Sequence, residues 1–294
     1  MKVVASGVNP SDVKTRRGLR AQMAYPQVIP HCDGAGVIDA VGAGVSPSRV
    51  GERVWMWNAQ WGRPFGTAAE FIALPAAQAV RLPDGVGFPE GAALGVPALT
   101  AYHAVTMDGG VSGKTVLVSG GAGSVGHYAV QLAKAKGASR VIATVSSEAK
   151  ADLATQAGAD VVLNYKAEPL AERVRELTDG KGVDRIVEVD LAANIAVDLE
   201  MIAREGDIVP YGSGAPQIPV TFLPSILRMV RYRFFIVYNL TESDRGRAIA
   251  ELTTLMQSGR LTHNVAKRLA LADIVDAHEL VEQGGVAGKV VVDI

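Results

Sequence analysis

The stretch T-V-L-V-S-G-G-A-G-S-V-G-H-Y-A-V-Q-L-A-K-A-K-G, residues 115–137, decides the fold of this chain. Its first part, 115–119, is a short run of apolar and β-branched residues, which is typical of a buried parallel strand. From 125 to 136, apolar residues recur on one face of a helix. The stretch therefore predicts a strand, a glycine-rich turn and a helix in succession.

The turn has G-x-G-x-x-G spacing, formed by Gly121, Gly123 and Gly126. In this pattern the first glycine permits a tight turn, the second lets the backbone approach a pyrophosphate, and the third lets the helix pack on the strand. The N–H groups at the helix start, around Ser124 and Val125, then favour phosphate together with the helix dipole. Because a further strand follows at 140–145, the predicted ligand is a dinucleotide.

Composition and charge narrow the class of protein. The chain has 294 residues, 48% of them hydrophobic and 20% charged, with a formal net charge of -1. This is an ordinary globular composition without a basic stripe, so no nucleic-acid partner is expected. The single cysteine, Cys32, fits a reducing compartment. The sequence shows neither an apolar run of membrane-spanning length nor a signal-peptide pattern at its start, so we expect no membrane partner and a cytoplasmic location.

Three segments differ in pattern. Residues 1–87 are punctuated by Gly and Pro, and their short strand-like runs predict a small, mostly β domain. These runs lie at 2–5, 35–41, 53–57, 70–74 and 79–82. Residues 88–238 begin with a helical stretch over 90–104, interrupted at Pro97, and then alternate strands with helices. Residues 239–294 contain two predicted helices and a final strand, too few elements for a domain, so we expect them to complete the first one.

The alternation in the middle segment predicts an α/β fold with a doubly wound parallel sheet. The predicted strands are 115–119, 140–145, 160–164, 184–189, 207–212 and 234–238. The predicted helices are 125–136, 148–157, 168–178 and 194–203, followed in the last segment by 244–258 and 273–283 and the strand 289–294.

The end of the second parallel strand bears on which dinucleotide binds. NAD-preferring sites carry Asp or Glu about 20 residues after the glycines, where it bonds the ribose 2′-hydroxyl. Here that position holds Ser146, and no carboxylate follows until Glu148. Small hydroxyls with a nearby cation, supplied by Lys150, favour a 2′-phosphate and hence NADPH. The alternative is a helix-capping serine beside a solvated lysine.

With the glycine motif in place, the remaining landmarks resemble the medium-chain dehydrogenase/reductase superfamily, and within it the quinone oxidoreductase (zeta-crystallin-like) branch. The matching motifs are G-V-N-P-S-D (7–12), D-G-A-G-V-I-D-A-V-G (33–42), G-E-R-V (51–54), G-V-P-A-L-T-A-Y (95–102), V-S-G-G-A-G-S-V-G (118–126), A-D-V-V-L-N-Y (159–165), G-V-D-R-I-V-E (182–188) and the C-terminal G-K-V-V-V. The resemblance implies a Rossmann domain together with a GroES-like domain. It also implies an N-terminal segment that precedes residue 1 in relatives, so we expect the first domain to be shortened.

The resemblance also bears on metal chemistry. Relatives that are alcohol dehydrogenases use a catalytic zinc, and the corresponding positions here read Asn9, Cys32 and Val96. Zinc wants three protein ligands and an open position, so this set predicts a zinc-independent protein, even with His31 beside Cys32. Without a metal to polarise a carbonyl, hydride transfer suits electron-poor acceptors such as quinones and conjugated enones.

The resemblance assigns individual residues. Asn9 matches an asparagine near the nicotinamide, whose amide would bond the acceptor oxygen; the alternative is a turn-forming asparagine before Pro10. Trp55 and Trp57 would share one strand face beside the substrate, or else pack a core. Further cofactor contacts are implied for Thr100, Tyr165, Gly212, Ser213 and Tyr238. The apolar run 234–238 would pair with its copy in a homodimer.

Three functions compete at this stage. The first is an NADPH-dependent, zinc-independent reductase of quinones. The second is a reductase of enals, enones or enoyl thioesters, which shares every motif. The third is an NADPH-binding protein without significant turnover.

Overall fold

A computed structural model describes residues 1–19 and 24–294. These residues form two compact units. The first unit combines Met1–Leu99 with Glu242–Ile294, and the second is the continuous segment Thr100–Thr241. The predicted boundaries lay at 87/88 and 238/239, so the first unit extends about one helix further than the sequence suggested.

The first unit is built on a mixed sheet whose described strands follow the order β11-β12-β1-β2-β3-β4. Its strands are β1 (Lys2–Val8), β2 (Asp33–Val37), β3 (Arg53–Met56), β4 (Ala79–Arg81), β11 (Val265–Ala270) and β12 (Lys289–Asp293). The pairs β1–β2, β1–β12, β2–β3 and β3–β4 are antiparallel, whereas β11 and β12 are parallel. The chain's last strand therefore lies beside its first.

Four α-helices belong to the described part of this unit. They are α1 (Pro10–Arg16), α2 (Phe88–Gly91), α9 (Glu242–Gln257) and α10 (Ile274–Gln283). One turn of π-helix, Leu94–Ala98, carries Pro97 and is followed by α3 (Leu99–Thr106). The predicted interruption at Pro97 therefore takes the form of a widened helical turn, because proline cannot donate the hydrogen bond that an α-helix needs.

The second unit is a parallel sheet flanked by helices. Its described strands follow the order β10-β9-β8-β5-β6-β7, which is doubly wound. The strands are β5 (Thr115–Val118), β6 (Arg140–Val145), β7 (Val161–Asn164), β8 (Val183–Glu188), β9 (Ile202–Pro210) and β10 (Arg231–Tyr232). The helices are α4 (Ser124–Ala135), α5 (Glu148–Gln156), α6 (Leu170–Leu177), α7 (Leu191–Met201) and α8 (Phe222–Arg228).

The core of the second unit explains why these segments become strands. Leu117, Ile142 and Ile186 lie on three neighbouring strands, and each is at most 1% exposed to solvent. Strands covered by helices on both faces need apolar residues in succession rather than in alternation. The runs that start at 115, 140 and 183 meet this requirement, and the predicted α/β fold is confirmed.

Two strand predictions are wrong. Residues 234–238 do not form a strand; the chain ends its sheet at the two-residue β10, and Val237–Asn239 is a turn of 3-10 helix. The edge that was expected to pair with a second copy is therefore absent from the described residues. Residues 70–74 contribute a single bridge, from Phe71 to Lys2, instead of a strand. Both strands were predicted from runs of apolar residues, but a strand also needs a neighbouring strand to pair with.

Among the described residues, no helix combines the length and the apolar character that crossing a membrane would require.

Candidate functional site

The glycine motif forms the sharp connection between β5 and α4. Gly123 is the N-cap of α4, and the left-handed turn that precedes it falls on Gly120, with φ of 69°. Gly121 was expected to make the tight turn, but its φ is not positive. A Cβ on Gly121 would instead lie 2.6 Å from the Cβ of Ala143 on β6. Gly121 is therefore needed for close packing, and Gly120 makes the turn.

Gly126 performs the packing that the motif assigns to it. A Cβ at this position would lie 2.1 Å from the carbonyl oxygen of Gly120, so any side chain would push α4 away from the loop. A Cβ on Gly123 would meet the same carbonyl oxygen at 3.2 Å. The first turn of a helix has N–H groups without intrahelical partners and carries the positive end of the helix dipole. The loop thus places the first turn of α4, beginning at Ser124 and Val125, directly against backbone.

The end of β6 brings two of the predicted residues together. The ammonium group of Lys150 donates to Ser146 Oγ at 3.1 Å, one helical turn apart. Tyr165 follows β7, its N–H donates to Val145 O at 3.1 Å, and its side chain is exposed. Glu148 is the first residue of α5, as predicted. A hydroxyl and a cation therefore lie where the sequence expected the 2′-phosphate.

The other expected cofactor residues are spread over the second unit. Thr100 is buried on α3, and Tyr238 is buried in the 3-10 turn after β10. A Cβ on Gly212 would lie 2.2 Å from Val189 O, so this loop runs against the end of β8. Ser213 Oγ donates to Ala215 O at 2.6 Å, which shapes the same loop. The structure joins Gly212 and Ser213 to the carboxyl edge of the parallel sheet.

Asn9 lies in the first unit, between β1 and α1, and both ends of its side-chain amide are bonded. Its Nδ2 donates to Asp33 Oδ2 at 2.8 Å. Its Oδ1 accepts from the ammonium of Lys289 at 2.6 Å. The backbone N–H of Asn9 donates to Asp12 Oδ2 at 2.8 Å, which places Asp12 at the start of α1. The alternative of a turn-forming asparagine thus gives way to a helix start whose N-cap side chain is bonded to two buried charges.

Asp33 and Lys289 form a buried ion pair around that amide. Lys289 Nζ lies 2.9 Å from Asp33 Oδ2, and the other carboxylate oxygen accepts from the N–H of Val96 at 2.7 Å. Asn9, Asp33 and Lys289 are each at most 2% exposed. Asp12 is buried beside them; burial, with the charge of Asp33, raises its pKa to about 7, although Lys289 opposes that shift. We call Asn9, Asp33 and Lys289 the Asn9 cluster.

Two glycines make room for the Asn9 cluster. A Cβ on Gly7 would lie 2.7 Å from Lys289 Cε and 2.1 Å from Ala92 O. A Cβ on Gly95 would lie 2.2 Å from Asp33 Oδ1. The motifs that contain these glycines thus accommodate a lysine stem on one side and a carboxylate on the other.

The two tryptophans do not form an exposed aromatic wall. Trp55 on β3 is fully buried, so it packs the core of the first unit. Trp57 follows the strand and is partly buried, and the guanidinium carbon of Arg245 lies 4.1 Å from its ring centroid. Of the two residues, only Trp57 has surface to offer to a ligand.

The positions that hold zinc in the resembling dehydrogenases do not fit a metal ion. Cys32 offers a thiol, Val96 has an aliphatic side chain, and the amide oxygen of Asn9 is occupied by an ammonium group. A divalent cation placed there would be repelled by Lys289. In the described part of the chain, no three His, Cys, Asp or Glu side chains gather in a way that could hold a metal.

Sequence reasoning assigned no role to Lys289 or Asp33, although both lay in motifs quoted for the resemblance. A signal existed for the lysine. It opens the run K-V-V-V, the last strand of the chain, and a charged residue in a buried strand needs a partner. The identity of that partner could not be read locally, since Asp33 lies 256 residues upstream.

Comparisons with known proteins identify the family. The model of the alcohol dehydrogenase GroES-like domain matches residues 1–84, and that of the zinc-binding dehydrogenase family matches residues 124–254. A quinone oxidoreductase of Lama guanicoe is 30% identical over 293 residues, which cover 99% of this chain and 87% of that protein. A quinone oxidoreductase of Pseudomonas aeruginosa is 32% identical and covers 93% of this chain and 84% of its own length.

Solved structures give the same picture. The quinone oxidoreductase of Escherichia coli, complexed with NADPH, has a TM-score of 0.88 at 28% identity, with all of this chain and 90% of that one covered. A mycobacterial protein complexed with NADPH has a TM-score of 0.87 at 32% identity, with the same coverage. This chain belongs to the medium-chain dehydrogenase/reductase superfamily and is an oxidoreductase. Within that superfamily it groups with the quinone oxidoreductases.

Proposed function

We propose that this protein is an NADPH-dependent, zinc-independent reductase of quinones. The observation that carries the proposal is the Asn9 cluster, which holds an amide and an ammonium where zinc-dependent relatives hold metal ligands. Such a cluster offers hydrogen-bond donors to an acceptor's oxygen, but no Lewis acid. Hydrogen-bond donors without a Lewis acid suit acceptors that can delocalise the incoming negative charge themselves, above all quinones.

The second unit supplies what NADPH needs. The N–H groups at the start of α4 would bind the pyrophosphate, which the glycines allow to come close to backbone. Ser146 and Lys150 would bind the 2′-phosphate through a hydroxyl and a charge-assisted hydrogen bond. Tyr165 is exposed next to the end of β6 and would border the same group. NADPH is also the cofactor in the E. coli quinone oxidoreductase complex, which supports this choice.

In the first unit, Asn9 would act on the acceptor. One of its two Nδ2 hydrogens is used by Asp33, and the other would donate to the quinone oxygen, where negative charge develops during reduction. When bound, NADPH supplies a hydride, and a proton from water completes the reduced acceptor. Asn9 then stabilises charge without taking up a proton itself.

The deciding experiment follows NADPH oxidation at 340 nm with a panel of acceptors: 1,4-benzoquinone, 9,10-phenanthrenequinone, a 2-alkenal, an enone and an enoyl thioester. We expect turnover with the quinones. Turnover confined to the alkenal, enone or thioester would replace the proposal by its runner-up. Tight NADPH binding without oxidation by any acceptor would favour a binding protein.

We further propose that the protein works as a homodimer through the second unit. Eight large apolar side chains on α8 and in the segments beside it are 38–72% exposed, although monomers rarely expose such patches. They are Val220, Phe222, Leu223, Ile226, Leu227, Met229, Phe234 and Ile236. Because the strand expected at 234–238 is absent, this interface would rest on side chains rather than on sheet pairing.

The charges around this apolar patch support a second copy as its occupant. Arg231 is paired with Asp207, which also pairs with Arg185, and Arg233 is paired with Asp108, so both arginines that follow α8 are ion-paired within the chain. Light scattering during size-exclusion chromatography should give a dimer, and Phe222→Glu should give a monomer with unchanged NADPH affinity. A monomeric wild-type protein would overturn the dimer without touching the proposed activity.

A further inference from the structure

The side-chain amide of asparagine is nearly symmetric in shape but not in chemistry. Its oxygen only accepts hydrogen bonds, whereas its nitrogen donates two. An amide that offers its nitrogen to a developing oxyanion stabilises it, and the same amide rotated by 180° would repel it. The orientation of Asn9 therefore decides whether the residue could act on an acceptor at all.

The partners of Asn9 fix that orientation by their chemistry. The ammonium of Lys289 has donors but no acceptor, so it requires the oxygen of the amide. The Asp33 oxygen that pairs with Lys289 accepts from the amide, so it requires the nitrogen. Lys289 and Asp33 also bond each other at 2.9 Å, which holds them on the same side of the amide. A flipped Asn9 would bring oxygen against carboxylate and nitrogen against ammonium.

The surrounding backbone shows that the pair is built in. Asp33 is held by the N–H of Val96, and Gly95 leaves space for its Oδ1. Gly7 leaves space for the Lys289 stem. An unpaired buried charge is strongly destabilising, and here the two paired charges both bond to the Asn9 amide. Asp12, whose carboxyl interacts electrostatically with both charges, is bonded to the backbone N–H of Asn9.

We propose that Lys289 and Asp33 are positioning residues that lock the Asn9 amide so that its remaining Nδ2 hydrogen is the donor offered to the acceptor. This inference rests on the proposed function, because it gives Asn9 an acceptor to act on. It goes further, because it assigns a purpose to a buried ion pair formed by residues at opposite ends of the chain.

The main test uses the double variant Lys289→Gln/Asp33→Asn. Both new side chains keep hydrogen-bonding groups and nearly the original volume, and no buried charge is left unpaired. Since amides both donate and accept, they no longer dictate which way Asn9 faces. The matched control is Arg268→Gln/Asp293→Asn, which removes an exposed ion pair between β11 and β12 of the same sheet.

We expect the Lys289→Gln/Asp33→Asn variant to bind NADPH with unchanged affinity and to lose about tenfold in kcat with the best acceptor. This is less than the roughly 10²–10³-fold cost of removing an oxyanion donor, because the Asn9 amide is still present but no longer held in one orientation. The control should keep its kcat. The same double change is then made in Asn9→Ala. If the pair acts through Asn9, it lowers kcat no further there; equal losses with and without Asn9 would overturn the proposal.

A second measurement does not depend on turnover. The side-chain NH₂ signals of Asn9 can be assigned by their loss in Asn9→Ala. A hydrogen bond to a carboxylate should shift one of the two protons downfield in the wild type, and the Lys289→Gln/Asp33→Asn variant should lose that shift. Unchanged signals would overturn the positioning role. If no acceptor is reduced by the wild type, the proposed function fails, and these signals still decide whether the amide is locked.

Discussion

The imidazoles of His31 and His278 are joined by a hydrogen bond, Nε2 to Nε2 at 2.8 Å, between segments 247 residues apart. Thr67 donates its only hydroxyl hydrogen to Asp33 O. Ser6 Oγ must therefore donate to Thr67 Oγ1, 2.7 Å away. Ser6 therefore accepts from His31 Nδ1, also at 2.7 Å. In this series of hydrogen bonds, each group donates to the next, and the last donation is to the carbonyl oxygen of Asp33.

This direction predicts the tautomers of both rings. His31 should carry its hydrogen on Nδ1, the less common form, and His278 on Nε2. Burial lowers the pKa of each ring, so both should be neutral at pH 7. Long-range ¹H–¹⁵N correlation spectra would show the tautomers, with assignments from His31→Gln and His278→Gln. Finding Nε2–H on His31 would contradict the bond directions.

Gly126→Ala should weaken NADPH binding. The new methyl group would approach Gly120 O to 2.1 Å, so α4 must move away from the loop. We expect at least a tenfold loss of NADPH affinity and about 1–3 kcal/mol of stability. The control is Gly246→Ala on α9, where a Cβ meets nothing within 4 Å and helix propensity should add about 1 kcal/mol. Calorimetry measures both; two similar variants would mean that Gly126 is not constrained.

Lys150→Ala should erode the preference for NADPH over NADH. Its ammonium lies 3.1 Å from Ser146 Oγ, and a charge-assisted bond to phosphate contributes roughly 1.5–3 kcal/mol. The ratio of the two dissociation constants should therefore fall about tenfold or more. Lys181→Ala, an exposed lysine elsewhere in the same unit, serves as the control. Equal affinity of the wild type for both cofactors would refute the assignment.

Asp198→Asn should make the protein less sensitive to alkaline pH. Burial, with the nearby charge of Glu188, raises the pKa of Asp198 to about 9. The folded protein therefore holds a proton that the unfolded chain releases near pH 4. The free energy of unfolding is therefore unaffected by this group below pH 4. It falls as the pH rises from 4 towards 9, by up to about 1.4 kcal/mol per pH unit.

The asparagine variant has no such proton to lose, so its advantage over the wild type in free energy of unfolding should grow from pH 5 to pH 9. The control is Glu200→Gln, which changes an exposed carboxylate two residues away on the same helix. Parallel pH profiles for wild type and Asp198→Asn, from chemical denaturation, would show that the pKa of Asp198 is not raised.

Strong chelators should leave activity intact. The ammonium of Lys289 lies 2.6 Å from the Asn9 oxygen and excludes a second cation by repulsion. We expect purified protein to contain much less than one zinc per chain. A stoichiometric zinc, removed by chelation together with activity, would show that the described groups rearrange to bind it.

The parallel sheet could be predicted from sequence because each of its central strands is a local apolar run. The chain over 115–118 needs no distant information to become a strand. By contrast, β11 was not predicted, since Val265–Ala270 is largely exposed and reads K-R in its middle. It is a strand only because the chain's last strand lies beside it.

The Asn9 cluster marks the limit of local reasoning for the candidate site. Asn9 was singled out, and the start of α1 carried a readable signal, with Asn at the N-cap, Pro at the first position and Asp12 at the third. The sequence analysis did not use that signal, and it predicted no helix over 10–16. The ion pair itself depends on tertiary contacts that no window of sequence contains.

The position of β12 beside β1 has a consequence for how the protein is made. The second unit is one continuous stretch and can fold as soon as its own residues have left the ribosome. The first unit begins to emerge earlier but can complete its fold only later, because β1 pairs with β12 and Asn9 bonds to Lys289. At about 5–20 residues per second, its early strands remain without their final neighbour for on the order of ten seconds or more. The unit proposed to bind NADPH is thus completed first, and chaperones have the longest access to the unit that contains Asn9.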